Sequence, residues 1–294
     1  MTIKDTRKEI DAIDEQIAQL LTKRMKITEQ TLSFKQLDNL PIRDFDREKE
    51  VVEHVGACSE PPYDLYIKSM YNSIMDSCVA YQHSIAGEKS QIIQEIEDGM
   101  RHMEKTFAKE ATVACQGIPG ASTEAAIKVM IKNPDIRYFN SFERVIEAVE
   151  HEEVRYGVFP IENSKYGSVG SINDLIRNHH VYYVRSTKRV INNNITRFVC
   201  ISKEAEFHED DNKVSILYEI EHVPMALYKS IGNISTLGFN ISKLETRPIP
   251  GSDFDYLIFI DIDASIKSPE LRGIIGHMDN KMSYFRFLGS YREE

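Results

Sequence analysis

Residues 3 to 37 contain neither glycine nor proline, and their apolar side chains recur at helical spacing. Ile10, Ile13, Ile17, Leu20, Ile27 and Phe34 fall on one 3-4 seam. A helix of that length runs about 50 Å. No small domain buries so long a seam alone, so an antiparallel partner helix or a second subunit is required. The seam is interrupted at Arg24 and Thr31, where apolar residues are due. Pro41 starts a break, residues 44–56 read as a second helix, Pro61-Pro62 break again, and residues 64–85 read as a third. The first segment, 1–86, is therefore expected to be all-helical.

Residues 87–110 are polar, charged and loosely amphipathic, and read as a helical linker. The pattern then changes class. A strand at 111–116 ends in the turn Gly117-Ile118-Pro119-Gly120, followed by helix 122–132, strand 136–139 and helix 142–152. Strand 156–161, a Gly/Ser loop, helix 172–178 and strand 181–185 come next. This alternation predicts a parallel sheet with helices across it. Asn192-Asn193-Asn194 predicts a hairpin turn into a strand at 195–202, because Asn tolerates positive φ. After an acidic break at 204–211, strand 213–220, helix 224–237, strands 240–247 and 255–261, helix 269–278 and strand 284–289 follow. That is the βαββαβ order of a ferredoxin-like sandwich. The expected organisation is a helical domain (1–86), a linker (87–110), an α/β segment (111–203) and a sandwich (212–294), in keeping with 294 residues.

No run of 18 apolar residues is long enough to cross a bilayer, and no basic stretch leads into an apolar one at the start, as secretion would need. Cys58, Cys78, Cys115 and Cys200 are scattered without metal-ligand spacing and read as free thiols of a reducing cytoplasm; no metal is expected. The net charge of −10 argues against a nucleic-acid-binding surface. An acidic protein that handles an anionic metabolite must concentrate Arg and Lys locally.

Such a concentration lies on the first two helices. Lys35 follows Arg24 by 11 residues, three turns, and so shares its face. Asp44, Arg47 and Glu48 have i, i+3, i+4 spacing and project from one face of the second helix. Taken singly, these are a snorkelling arginine and a solvated charged stripe; together they make a pocket-sized group on facing helices. With Arg7-(x)6-Asp14, the run Pro41-Ile42-Arg43-Asp44-x-Asp46-Arg47-Glu48, and Gln82 on the third helix, the pattern resembles the all-α chorismate mutases found at the front of bifunctional chorismate mutase/prephenate dehydratases.

The resemblance implies that Arg7 and Arg24 clamp the two carboxylates of chorismate, that Lys35 and Gln82 donate to its ether oxygen, that Glu48 and the Asp44 region meet its hydroxyl, and that Arg47 organises a carboxylate. Cys78 stands where a serine usually precedes the glutamine by four residues, and is the poorer donor. The rearrangement to prephenate is pericyclic and needs no nucleophile, metal or cofactor. It needs the substrate held in its compact conformer and donors aimed at the breaking C–O bond. Arg7 precedes Arg24 by 17 residues, about 25 Å along the helix. Both cannot hold one small molecule from the same chain, so Arg7 is expected to serve the site of a second protomer in a homodimer or higher oligomer.

The middle segment resembles prephenate dehydratase through Gln116-Gly117, Gly120-Ala121, the run Tyr156-Gly157-Val158-Phe159-Pro160-Ile161-Glu162-Asn163-Ser164, Gly167-Ser168-Val169, Asp174-Leu175 and Thr196-Arg197-Phe198. The resemblance implies that Thr196 is the acid that helps hydroxide leave prephenate, with Thr123, Asn163, Ser164 and Arg197 binding or positioning it. Members of that family place a second α/β lobe before the Thr-Arg-Phe strand; here only residues 186–195 join the two strands. Dehydration needs a positioned acid and excluded solvent, so a single open lobe of this periplasmic-binding-protein-like fold is expected to have little dehydratase activity. The last segment resembles the phenylalanine-binding ACT domain, through Glu245-Thr246-Arg247-Pro248 and Met225-Ala226-Leu227-Tyr228, with Met225 in place of the usual glycine. Phenylalanine is thereby implied as effector, on Ala226, Leu227, Glu245, Thr246 and Arg247. A dimerising sandwich without ligand is the other reading of that segment. For the whole chain a working bifunctional enzyme and a non-catalytic phenylalanine sensor stay open beside the mutase with a reduced dehydratase lobe.

Overall fold

The unbroken run at the start folds as one helix in the computed structural model, which describes residues 2–38, 40–86, 90–191, 193–220, 222, 226–249 and 255–294. The helix α1 (Ile3–Leu37) opens on a capping box. The Thr2 hydroxyl accepts from the Asp5 amide, and the Asp5 carboxylate takes the Thr2 amide at 2.8 Å. Asp44 caps α2 (Phe45–Ala57), and after cis Pro61-Pro62 comes α3 (Tyr63–Ala86). Helix α2 packs on α3, and α1 reaches α3 through Arg24, Gln82 and Gln36. The seam residues Ile10, Ile13, Ile17, Leu20, Ile27 and Phe34 remain 43–66 % exposed. Among the described residues no helix is long and apolar enough to cross a membrane.

The chain forms two compact units, one of residues 1–88 with 228–236 and one of residues 89–227 with 237–294. The segment expected as a linker belongs to the second. Ile92, Ile93, Ile96 and Met100 make an apolar stripe on α4 (Gln91–Arg101), which packs on α9 (Pro269–Lys281) with Ile93 against Gly276. Ser90 caps α4 and donates to Asp279 at 2.7 Å.

The α/β elements then follow in the expected order: β1 (Glu110–Gln116), α5 (Ser122–Met130), β2 (Asn133–Phe139), α6 (Phe142–Glu150), β3 (Tyr156–Asn163), α7 (Gly170–Asn178), β5 (Tyr182–Ile191) and β6 (Asn194–Ser202). The Gly/Ser loop contributes a further two-residue strand, β4 (Gly167–Ser168), against β3. Strands β2, β1 and β3 are parallel, but β6 enters antiparallel between β3 and β5, so the sheet is mixed. The hairpin is the cause. Asn193 sits at φ +63° between β5 and β6 and reverses the chain there; Asn192 lies outside the described residues.

Strands β7 (Lys213–Ile220), β8 (Asn240–Pro248), β9 (Tyr256–Asp263) and β10 (Phe285–Glu293) take the antiparallel order β10-β7-β9-β8 of a ferredoxin-like sheet. Residues 212–294 do not stand apart as expected. Strand β10 pairs in parallel with β5, Arg292 opposite Arg185 and Glu293 opposite Ser186, so one ten-stranded sheet runs through the unit. A single apolar core joins Val145 and Val149 of α6, Ile172 and Ile176 of α7, Phe159, Val199, Leu217, Leu257, Phe259 and Leu288. The first helix of the βαββαβ order, α8 (Ala226–Thr236), groups from Tyr228 onward with residues 1–88. Among its described side chains only Ser230 and Ile234 are buried.

The splice between the two halves of the sheet turns on Gly289. It lies at a bulge in β10 with φ +143°, and a Cβ there would stand 2.1 Å from the Tyr183 carbonyl oxygen of β5. Neither strand can back away without breaking the ladder. Gly289→Ala is expected to destabilise the sheet unit by more than about 3 kcal/mol, measured by chemical denaturation with near-ultraviolet circular dichroism.

Candidate active sites

Polar residues that interrupt the seam of α1 line a cavity of about 500 Å³ among α1, α2 and α3. Its wall from α1 is Leu20, Lys23, Arg24, Ile27, Thr28, Thr31 and Lys35, one face of the helix at i, i+3, i+4 and i+7 steps. Asp44, Arg47, Glu48 and Val51 come from α2 and its cap; Met75, Cys78, Val79 and Gln82 come from α3. Four cations thus face two carboxylates, in a chain whose net charge is −10.

Several of the polar groups are held by nearby partners. Arg24 is aimed across to α3, with its two terminal nitrogens 2.8 Å from Cys78 Sγ and 2.9 Å from Met75 Sδ. Lys35 donates to the Ile42 carbonyl, leaving two ammonium protons for the cavity. Gln82, buried, donates one amide proton to the Thr28 carbonyl at 2.9 Å and keeps the other. Asp44 is committed to capping α2, accepting from the Arg47 amide at 3.0 Å.

Arg47, expected to organise a carboxylate, pairs its guanidinium with exposed Glu50 at 2.9 Å. Glu48 is held instead by Arg43, at 2.8 Å, and Arg43 also pairs with Asp76 of α3 at 2.8 Å. Arg43 stood in the recognised run, but a guanidinium beside three carboxylates within five residues does not announce its partner. Asp76 carried no signal, lying 33 residues away. Arg7 is exposed and is not among the residues lining this cavity.

In the sheet unit, the strand ends bring the dehydratase-like residues together. Asn163 of β3 lies opposite Thr196 of β6, and its amide nitrogen donates to the Thr196 hydroxyl at 2.9 Å. The Asn163 side-chain oxygen accepts from the Lys165 and Tyr166 amides, and the Ser164 hydroxyl accepts from the Ile195 amide at 2.9 Å. Thr123 is buried in the first turn of α5, which the peptide plane of Ala121 caps without a side-chain bond.

Arg197 sits among carboxylates. Buried, it pairs with Glu162 of β3 at 3.2 Å, Asp261 of β9 at 3.1 Å and Glu293 of β10 at 2.9 Å. Burial works to lower the Arg197 pKa, and the carboxylates of Glu293, Asp261 and Glu162 more than reverse it. Burial pushes the Asp261 carboxyl up, against the pull of Lys243, Ser215, Arg197 and Lys213. Two of the three partners lie 64 or more residues away in sequence, where spacing carries no signal.

Of the proposed effector group, Ala226 and Leu227 open α8, while Met225 lies outside the described residues. Glu245 and Arg247 share one face of β8 and pair at 3.0 Å, and Thr246 points to the other, exposed face. Burial pushes Glu245 up, but Ser168, Lys243, Asn173 and Arg247 hold it below the usual carboxylate range.

A chorismate mutase type II model matches residues 6–83 and a prephenate dehydratase model matches residues 113–192, together more than half of the chain. A bifunctional chorismate mutase/prephenate dehydratase of Aquifex aeolicus is 23 % identical over 353 aligned positions, covering 98 % of this chain and 97 % of its own. Because 353 positions exceed the 294 residues available, that relative carries residues with no counterpart here. Among solved structures, GqqA, described as a novel type of quorum-quenching acylase, aligns over 62 % of this chain and 95 % of its own, with TM-score 0.56 and 24 % identity. A prephenate dehydratase from Arthrobacter aurescens in complex with L-Phe aligns over 61 % and 89 %, with TM-score 0.55 and 17 % identity. These two likenesses concern the fold alone. The helical match, the dehydratase match and their order along nearly the whole Aquifex relative agree, and the chain belongs to the family of bifunctional chorismate mutase/prephenate dehydratases.

Proposed function

We propose that the chain rearranges chorismate to prephenate in the helical cavity, within the chemistry of phenylalanine biosynthesis. The observation that carries this reading is the placement of Arg24, Lys35, Glu48 and Gln82 on the wall of one 500 Å³ space with two more cations than carboxylates. A dianion of chorismate's size suits that balance. Arg24 takes one carboxylate, trading its sulfur contacts for a charge-assisted pair. The spare protons of Lys35 and Gln82 meet the ether oxygen, where negative charge grows as the C–O bond breaks. Glu48 accepts from the hydroxyl. The full chain is expected to consume chorismate, followed by its ultraviolet absorbance, and Lys35→Ala is expected to lower kcat at least about a hundredfold, as for loss of a preorganised donor. Near-wild-type turnover in that variant would sink the mechanism.

The second substrate carboxylate belongs to Arg7 of another protomer in this reading. The exposed seam of α1 supports it, since six large apolar residues on one helix face are an interface waiting for a second copy. Mixing Arg7→Ala protein with Arg24→Ala protein is expected to restore part of the activity, because one hybrid site keeps both arginines. Demonstrated subunit exchange without recovery rules the shared site out.

Residues 111–203 act, in this reading, as a dehydratase lobe of little activity, and residues 212–294 as an ACT-type regulatory sandwich in a cytoplasmic enzyme. The tight hairpin between β5 and β6 supports the first part, because it leaves no chain for a lobe between those strands. The Arthrobacter dehydratase, solved in complex with L-Phe, supports phenylalanine as effector. Incubation with prephenate at neutral pH is expected to yield phenylpyruvate at no more than the spontaneous rate, unchanged by Thr196→Ala. A rate well above background that vanishes in Thr196→Ala would show that one lobe suffices.

A further inference from the structure

Two carboxylates stand on the cavity wall, Asp44, whose Oδ1 caps α2, and Glu48, which can accept from a substrate hydroxyl. What fixes Glu48 lies behind the wall. Arg43 is in the turn ahead of α2, its side chain 9 % exposed, and it does not line the cavity. Its Nε and one terminal nitrogen both donate to Glu48 Oε2, at 3.1 and 2.8 Å, and that nitrogen also donates to Asp76 Oδ1 at 2.8 Å. The guanidinium carbon sits 5.0 Å from the centre of the Phe45 ring.

We propose that Arg43 is a positioning residue of the mutase. It anchors Oε2 of Glu48 so that Oε1 faces the cavity, and Asp76 in turn anchors Arg43; the proposal rests on the mutase reading above. The geometry calls for an arginine. Only a planar fork can give one carboxylate oxygen two N–H groups and still reach a second carboxylate. A glutamate has three side-chain torsions, and Lys35 and Arg24 line the same cavity. Without Arg43, Glu48 is free to swing onto them and neutralise the donors that chorismate needs. Arg43 therefore keeps apart the acceptor and the cations that would otherwise quench each other.

The test uses the full chain with chorismate as probe. Arg43→Ala is expected to lower kcat at least about tenfold while KM changes less than about threefold, since the substrate carboxylates keep their arginines. In a Glu48→Ala background the same change is expected to cost less than about twofold, because a residue acting through Glu48 loses its effect when Glu48 is gone. Arg43→Lys is expected to recover part of the loss, and Asp76→Asn to fall between wild type and Arg43→Ala. Arg43→Ala within twofold of wild type, or a loss that multiplies with that of Glu48→Ala, overturns the proposal and leaves the mutase reading standing. Should Arg43→Ala fail to fold by circular dichroism, Arg43→Lys and Asp76→Asn decide, and wild-type kcat in both overturns it. A wild-type chain without turnover overturns the mutase reading and this proposal together.

Discussion

A guanidinium withdrawn from water has to be met by carboxylates, and both units of this chain are built around one that is. In the sheet unit Arg197 draws Glu162, Asp261 and Glu293 from three strands onto one point, beside the splice where β10 meets β5. Removing one partner of such a group costs several kcal/mol because the others are left buried and unpaired. The cluster does little for stability relative to an apolar core of the same volume. What it fixes is register. A one-residue slip of β9 or β10 would turn Asp261 or Glu293 to the opposite face and strand Arg197. The surrounding pairs make the same demand: buried Lys213 of β7 holds Asp263 at 2.7 Å, and the Ser215 hydroxyl spans Asp261 and Tyr291.

The elements of the chain were legible in its sequence wherever the signal was local. Helix α1 followed from 35 residues without a breaker, the hairpin from a run of asparagines, and the β7-to-β10 order from alternating runs between turn residues. The cavity was legible for a related reason. Arg24 and Lys35 are polar residues on an apolar face, and a helix puts residues eleven apart in register whatever lies around it. The linker failed because its stripe, four residues on 11, is a weak pattern until α9 is there to bury it.

What escaped was pairing at a distance. Arg197 was picked out by a three-residue motif, but its partners Asp261 and Glu293 carry no local mark of that role. The joining of the two sheets was likewise invisible. It rests on two residue pairs between β5 and β10 and on a glycine whose missing Cβ admits the Tyr183 carbonyl. Sequence periodicity reports which face of a strand is apolar, not which edge finds a neighbour.

The two arginine clusters hold their carboxylates differently. Around Arg197 the carboxylates outnumber the cation and close on it from strands that meet there. Around Arg43 the two carboxylates lie on different helices, and only one oxygen of Glu48 is taken. The other stays at the wall of a cavity whose remaining charges are mostly positive. A guanidinium that takes one oxygen of a carboxylate leaves the other to work. In the sheet unit the arginine of the recognised motif ties β6 to β3, β9 and β10.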